Sequence, residues 1–204
     1  MRYFISIIVP YLVGAIPAGY LIGRIFYKTD ITKKGSGNIG FANVAQYLGV
    51  KAAIIVFLLD FLEGFVSVLI IRIAFHSDLM CAIAAVSTVI GHDFSIFMKF
   101  KGGKGASTTY GALAFLSPLP TLFGAFTFFL VLWWKKYISL SNIVSIATIP
   151  LYEILLHRSV YYFYASLFVA AILLYTHRNN IKDLINGSEI SILDSNPIKN
   201  RKRR

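Results

Sequence analysis

A glycine-punctuated loop, Lys99–Gly105, contains the residues whose chemistry is easiest to interpret. Its last four residues place three glycines around one lysine. Glycine lets the backbone approach a ligand closely, and successive N–H groups at a helix N-terminus bind phosphate oxygens. We therefore predict that Gly102, Gly103 and Gly105 form a phosphate-binding nest with Lys104 as its cation. The alternative is a flexible loop whose lysines only follow the charge bias of membrane proteins.

Polar side chains in a second glycine-rich loop and after the last apolar segment could contact the same ligand. Ser36 and Asn38 lie within that loop, and Asn43 follows it. His177 could orient a substrate or hold a loop, and Asn180 lies one turn further on. No base adjoins the serine in sequence, and the His-x4-Asp pattern of one large acyltransferase class is absent. The pattern therefore disfavours a hydrolase with a serine nucleophile.

Two carboxylates, Asp60 and Glu63, lie one turn apart within a long apolar run. Ionisable groups at that depth are costly and usually face a site or a cavity. They could serve function directly, or they could form interhelical hydrogen bonds with one carboxyl group protonated.

The elements that position these residues belong to a polytopic membrane protein. The chain is 57% hydrophobic and 14% charged, with a mean hydropathy of +0.69, which is too apolar for a soluble domain. A spanning helix needs about 20 mostly apolar residues because the hydrocarbon core is roughly 30 Å thick. The apolar runs predict an all-α fold with seven transmembrane helices: Tyr3–Phe26, Lys51–Phe75, Leu79–Met98, Ala106–Leu116, Leu119–Trp134, Ile138–Leu156 and Val160–Thr176.

The distribution of Lys and Arg predicts how these helices are oriented. With seven crossings, one set of loops carries 16 basic residues and the other carries three, so the N-terminus is outside and the C-terminus is cytoplasmic. We expect residues 1–187 to form a single membrane domain and residues 188–204 to form a polar, basic tail. The net charge of +11 then reflects orientation and attraction to anionic lipid headgroups, and not nucleic-acid binding.

Four stretches together resemble the bacterial acyl-phosphate:glycerol-3-phosphate acyltransferases in order and spacing, over nearly the whole chain. They are Tyr11–Pro17, Gly35–Gly49, Gly91–Gly105 and His177–Ile181, the last followed by Gly187-x-Glu189. The resemblance implies a multi-pass enzyme of the bacterial plasma (inner) membrane whose active site faces the cytoplasm. Its implied substrates are acyl phosphate and glycerol 3-phosphate, with transfer of the acyl group to the 1-hydroxyl. It implies no metal or soluble cofactor and leaves the oligomeric state open.

The resemblance also assigns roles by matching position. The implied catalytic residues are Ser36, Lys104, His177 and Asn180, and the nest at Gly102–Gly105 would cradle phosphate. Five more residues are predicted to contact the substrates: Gly37, Asn38, Asn43, Lys101 and Glu189. Since an acyl phosphate is already activated, catalysis would consist mainly of positioning and electrostatic stabilisation of the leaving phosphate.

This chain departs from the family pattern at five positions: Ala42, Gln46, Glu63, Ser95 and Asp183. Three of these, Gln46, Glu63 and Asp183, stand where the pattern has a cationic residue. Loss of these cations should weaken a site for a dianionic acceptor. One alternative is therefore an acyl-phosphate-dependent enzyme with a less anionic acceptor. Another is a non-catalytic lipid-binding or transport protein, in which the carboxylates of the second predicted helix would couple to ions.

Overall fold

The computed structural model describes residues 1–156 and 158–193, and within them the fold is entirely helical. Of the basic tail predicted at residues 188–204, residues 194–204 lie outside the described residues. The helices, in chain order, are α1 (Arg2–Gly14), α2 (Ala18–Phe26), α3 (Phe41–Leu48), α4 (Val50–Phe75), α5 (Asp78–Asp93), α6 (Ala106–Leu116), α7 (Pro118–Lys135), α8 (Ile138–Leu155), α9 (Val160–Thr176) and α10 (Arg178–Ile185).

The first predicted helix is broken into α1 and α2, which corrects the expectation of one continuous helix over Tyr3–Phe26. Pro17 stands at the break, and it has no backbone N–H to continue the helical hydrogen-bond ladder. The Ser95 hydroxyl donates to the Ala15 carbonyl at 2.5 Å, and the Tyr11 hydroxyl donates to the Phe94 carbonyl at 2.9 Å. The segment after α5 thus satisfies a polar group that the break exposes.

One further helix end and two additional helices differ from the sequence prediction. The predicted helix Leu79–Met98 ends as α5 at Asp93 and is followed by a 3-10 turn at Ile96–Met98. Two amphipathic helices of eight residues, α3 and α10, form in segments predicted as loops. The remaining predicted helices agree with the structure to within one residue at each end.

The prediction of seven spans is not confirmed. Among the described residues, five helical segments are long and apolar enough to cross a membrane: Arg2–Phe26, Val50–Phe75, Asp78–Met98, Pro118–Lys135 and Ile138–Leu155. A sixth is added if α9 and α10, bent by 60° at their junction, count as one. The remaining predicted span, α6, has 11 residues and is therefore about 16 Å long.

Small residues hold the helices together, and large apolar residues cover the outside. Gly111 on α6 lies against the Phe61 carbonyl of α4, where a Cβ atom would have no room. Leu58, Phe126 and Trp133 are 50%, 62% and 76% exposed. This arrangement is expected when the surrounding solvent is lipid, since tight backbone packing then drives helix association more than burial of apolar side chains does.

Contacts between loops define two ends of the bundle. At the first end, the Ile192 N–H donates to the Lys136 carbonyl at 2.9 Å, which ties the α7–α8 turn to the residues after α10. At the second end, Asp78 accepts hydrogen bonds from Arg72 at 2.6 Å and from the Tyr162 hydroxyl at 2.7 Å. The α6–α7 junction and the end of α8 also meet, through a hydrogen bond of 2.9 Å from the Ser117 hydroxyl to Glu153.

Candidate functional site

The glycine loop before α6 is held against the end of α5 by its own backbone. The Gly102 N–H donates to the Asp93 carbonyl at 3.0 Å, and the Gly103 N–H donates to the His92 carbonyl at 3.0 Å. Both N–H groups are therefore engaged within the protein. The N–H groups of the first turn of α6 have no intrahelical partner and can donate to an anion at this loop. Phosphate binding at this loop stays a prediction. The N–H groups of the first turn of α6 would then be the donors in place of those of Gly102 and Gly103.

Gly103 and Gly105 are required by close packing. A Cβ atom at Gly103 would collide with Nε2 of the His92 ring, so only glycine fits over that ring. Gly105 has a φ of +69°, which favours glycine, and a Cβ atom there would lie 2.8 Å from Oδ1 of Asp93. The loop thus lies directly on the side chains of the last two residues of α5.

Lys104 begins a chain of hydrogen bonds that brings four segments together. Its ammonium group donates to the Asn180 side-chain oxygen. The Asn180 amide then donates to Glu189 at 2.8 Å, and the Ser139 hydroxyl donates to the same carboxylate oxygen at 2.5 Å. Three residues predicted for the site, from distant parts of the sequence, are therefore in one network. Ser139 is a fourth member that the sequence analysis missed, since nothing in its local sequence distinguishes it.

His177 lies at the junction of α9 and α10, close to this network. Its side chain is 3% exposed, and Nδ1 is 3.0 Å from the Leu173 carbonyl, so the proton is on Nδ1 and Nε2 is the acceptor. Burial and the positive charge of Lys104 together lower the pKa of His177 to about 4, against the opposing effect of the hydrogen bond to Leu173. The imidazole is therefore neutral at physiological pH, a weak base suited to accepting a hydrogen bond.

The Ser36 loop is organised by the buried side chain of Asn43. The Asn43 oxygen accepts from the Ser36 N–H at 3.1 Å, and its amide donates to the carbonyls of Asn38 at 2.8 Å and Lys34 at 3.1 Å. Asn38 is also engaged locally, since its side-chain oxygen accepts from the Gly40 N–H at 2.8 Å. The geometry favours a structural role for Asn43, whereas the Ser36 side chain is exposed and its hydroxyl accepts from the Asn38 N–H at 3.3 Å. Substrate contacts by this loop stay a prediction.

Lys101 and Gly37, two further predicted substrate contacts, have different settings. The Lys101 side chain is exposed at the start of the glycine loop. Gly37 has a φ of +73° in the turn that carries Ser36, and its N–H donates to the Lys34 carbonyl at 2.8 Å. Both residues lie in solvent-accessible loops.

Asp60, Glu63 and His92 form a buried cluster whose nearest polar atoms all lie within 4.8 Å of one another. Such groups can hold a metal ion. In this arrangement, however, Nδ1 of His92 and Oε1 of Glu63 are 2.5 Å apart, closer than the roughly 3.3 Å between two ligands of a tetrahedral zinc ion. The Thr108 hydroxyl also donates to Oε1 of Glu63, at 2.7 Å. The cluster is a hydrogen-bonded connection between α4, α5 and α6.

The three residues that stand in place of the family's cations lie in different parts of the structure. Glu63 is within the buried cluster. Asp183 on α10 accepts a hydrogen bond of 3.3 Å from the Ser188 hydroxyl and so supports the turn that leads to Glu189. The side-chain nitrogen of Gln46 on α3 is buried and has no hydrogen bond to any residue that the structure describes. The idea that these positions together form one altered acceptor pocket gains no support from this arrangement.

The chain is similar to known proteins over nearly its full length. A sequence model of the family described as glycerol-3-phosphate acyltransferase matches residues 4–187. The glycerol-3-phosphate acyltransferase of Fusobacterium nucleatum is 36% identical over 192 residues, which are 93% of this chain and 97% of that protein. The glycerol-3-phosphate acyltransferase 2 of Moorella thermoacetica is 39% identical over 188 residues, covering 92% and 96% of the two chains.

Solved structures agree with the sequence comparison. The crystal structure of PlsY, an integral membrane glycerol 3-phosphate acyltransferase, in its glycerol 3-phosphate form has a TM-score of 0.89 to this chain at 33% identity. The alignment covers 94% of this chain and 96% of PlsY. The lysophosphatidic acid form of PlsY has a TM-score of 0.88 at 32% identity.

Proposed function

This chain belongs to the glycerol-3-phosphate acyltransferase family, and we propose that it transfers a fatty acyl group from acyl phosphate to the 1-hydroxyl of glycerol 3-phosphate. The product is lysophosphatidic acid, and the reaction is the first acylation of phospholipid synthesis. The observation that carries the proposal is the network of Lys104, Asn180 and Glu189, because it places a cation at the N-terminus of α6 beside polar side chains from the end of the chain.

The protein's residues have distinct roles in this reaction. Lys104 and the first turn of α6 bind the phosphate of the donor, and they stabilise the negative charge that develops on it as the bond from the acyl carbon to the phosphate oxygen breaks. Ser36, His177 and Asn180 orient the acceptor so that its 1-hydroxyl oxygen attacks the acyl carbon.

The proton of the 1-hydroxyl passes to a substrate phosphate. A phosphate monoester has a second pKa of about 6 and is therefore a stronger base than His177, whose pKa is about 4. The leaving phosphate departs with the electron pair of the broken bond. The step is then balanced without a metal, a cofactor or a protein general base.

A direct assay tests the proposed reaction. Purified protein in detergent is incubated with palmitoyl phosphate and either glycerol 3-phosphate or glycerol, and the lipid products are identified by mass spectrometry. We expect lysophosphatidic acid with the first acceptor and at least about tenfold less monoacylglycerol with the second, since glycerol lacks the charged group that the site would bind. Preferential acylation of glycerol would favour the alternative of a less anionic acceptor. No acylation of either would favour the non-catalytic alternative.

We further propose that residues 1–187 form one membrane domain in the bacterial inner membrane, with seven crossings and a cytoplasmic active site. Two loop contacts support this topology, since Lys104 meets Asn180 and Lys136 meets Ile192, so three of the basic segments share one end of the bundle. The contact between Ser117 and Glu153 lies at the other end of α6 and α8. In this topology α6 is a short crossing, and the end with the basic loops is cytoplasmic.

Cysteine labelling tests the orientation. Single cysteines at Lys34, Lys101 and Asn186, all exposed, should be shielded from an impermeant maleimide in intact cells, whereas a cysteine at Ser77 should react. Native Cys81 is 1% exposed and should give little background. Permeabilised cells provide the control, since all four variants should then be labelled. Labelling of the Lys101→Cys variant from outside would contradict the cytoplasmic site.

A further inference from the structure

Glu63 occupies a position from which it can control the geometry of the glycine loop. Glu63 is 9% exposed within α4, and one oxygen, Oε1, makes both of its hydrogen bonds. One bond joins it to Nδ1 of His92 on α5 at 2.5 Å, and the other comes from the Thr108 hydroxyl of α6 at 2.7 Å. A single carboxylate therefore links the helix before the loop to the helix after it.

The other side of the His92 ring supports the loop itself. Nε2 faces Gly103 closely enough to exclude a Cβ atom, and the His92 carbonyl accepts the Gly103 N–H at 3.0 Å. The next residue, Asp93, accepts the Gly102 N–H at its carbonyl and places its carboxylate beneath Gly105. A rotation or shift of the His92 ring would therefore displace the backbone on both sides of Gly103, next to Lys104.

We propose that Glu63 is a positioning residue for substrate phosphate. It fixes the His92 ring under Gly103 and the Thr108 hydroxyl in the first turn of α6, and so sets where Lys104 and the α6 N-terminus lie relative to the phosphate. The inference rests on the proposed function of the Lys104 loop as the phosphate site. In this role Glu63 acts through His92 and Thr108, and not by contact with the substrate.

The buried contact between Glu63 and His92 is better suited to positioning than to stabilising the fold. A buried ion pair is costly to desolvate, and its replacement by well-packed apolar groups is often neutral or stabilising. Its directional bonds, by contrast, hold two partners within a few tenths of an ångström, which a phosphate site needs. Glu63 uses one oxygen for two partners on different helices, so its loss releases both at once.

The test compares Glu63 with a second buried carboxylate, Glu153, which is 1% exposed and bonded to Ser117 at the other end of the bundle. The variants are Glu63→Ala, Glu63→Gln, Glu153→Ala and Glu153→Gln, assayed in detergent for KM and kcat with palmitoyl phosphate. We expect Glu63→Ala to raise KM by at least about tenfold, and Glu63→Gln, which keeps the hydrogen-bond acceptor, to raise it by about threefold. Both Glu153 variants should keep KM within about twofold of the wild type.

A double-mutant cycle with Lys104→Ala separates positioning from general loss of stability. If Glu63 acts through the loop, Glu63→Ala should cost less than about threefold in kcat/KM once Lys104 is absent. Full additivity of the two losses would overturn the inference. So would a Glu63→Gln variant whose KM equals that of Glu153→Gln, and this comparison decides the matter if Glu63→Ala does not fold.

Failure of the underlying site has a different signature. Wild-type KM in Lys104→Ala would overturn the proposed phosphate site, and with it the inference. An impaired Lys104→Ala variant beside normal Glu63 variants would overturn the inference alone.

Discussion

Gly103→Val is expected to reduce kcat/KM for acyl phosphate by about 100-fold or more. The Cβ atom would collide with Nε2 of His92, and the branched side chain adds two methyl groups where the first carbon already has no room. The overlap is relieved either when the loop leaves the His92 and Asp93 carbonyls or when the His92 ring is displaced, and either change moves Lys104 away from its place. Steady-state kinetics on the purified variant, with its melting temperature, measure the effect.

A matched glycine controls for the loss of flexibility. Gly49, between α3 and α4, has a φ of +92°, and a Cβ atom there would meet nothing within 4 Å. Gly49→Ala should therefore cost about 1–2 kcal/mol of folding stability through backbone strain and leave KM unchanged. Gly103→Ala already carries the clashing atom and should fall between wild type and Gly103→Val. Normal turnover in Gly103→Val would show that the His92 ring does not restrict the loop.

Lys104→Ala is the second variant with a large expected effect. The substitution removes a charge-assisted contact worth about 1.5–3 kcal/mol, which corresponds to about a 10- to 150-fold loss in donor binding or turnover. It also leaves the Asn180 side-chain oxygen without the donor that it has in this structure. Kinetics with varied palmitoyl phosphate at saturating glycerol 3-phosphate should show the loss mainly in the donor parameters.

Lys99→Ala is the appropriate comparison for Lys104→Ala. Lys99 carries the same charge five residues earlier in the same loop, and its side chain is exposed. An exposed lysine separated from the phosphate by water and salt contributes little to a specific contact, so its variant should retain wild-type KM. Equal losses in the two variants would indicate a general effect of loop charge, and the specific role of Lys104 would then be wrong.

The helices could be predicted from the sequence because lipid imposes a strong and local requirement. A run such as Val50–Phe75 is long and apolar enough to span, and its bounds agree with the prediction to within one residue. The break after α1 interrupts a continuous apolar run, and Pro17 is its signal in the sequence. The hydrogen bond that satisfies the exposed Ala15 carbonyl could not be predicted, because its donor, Ser95, is 80 residues away.

The candidate site was predictable where chemistry is concentrated in short motifs. Lys104, Asn180 and Glu189 were expected to share a site, and the structure joins them. Interhelical hydrogen bonds were one of the two alternatives for Glu63, but its partners, 29 and 45 residues away, could not be named from the sequence. Ser139 could not be foreseen, because its partner Glu189 is 50 residues away. Likewise, only the structure reveals that the N–H groups of Gly102 and Gly103 already have acceptors.

The Lys104 network also has a consequence for the timing of folding. Two of its three bonds join residues 76 and 50 positions apart, so none of the three can form before Asn180 has been synthesised, and two of them also need Glu189. Contacts between distant residues form slowly because a long loop must close before they contribute free energy. The upstream helices can therefore insert and pair while the ribosome is still elongating the chain. Catalytic competence is acquired in a late step, and activity reports on the docking of the final segment.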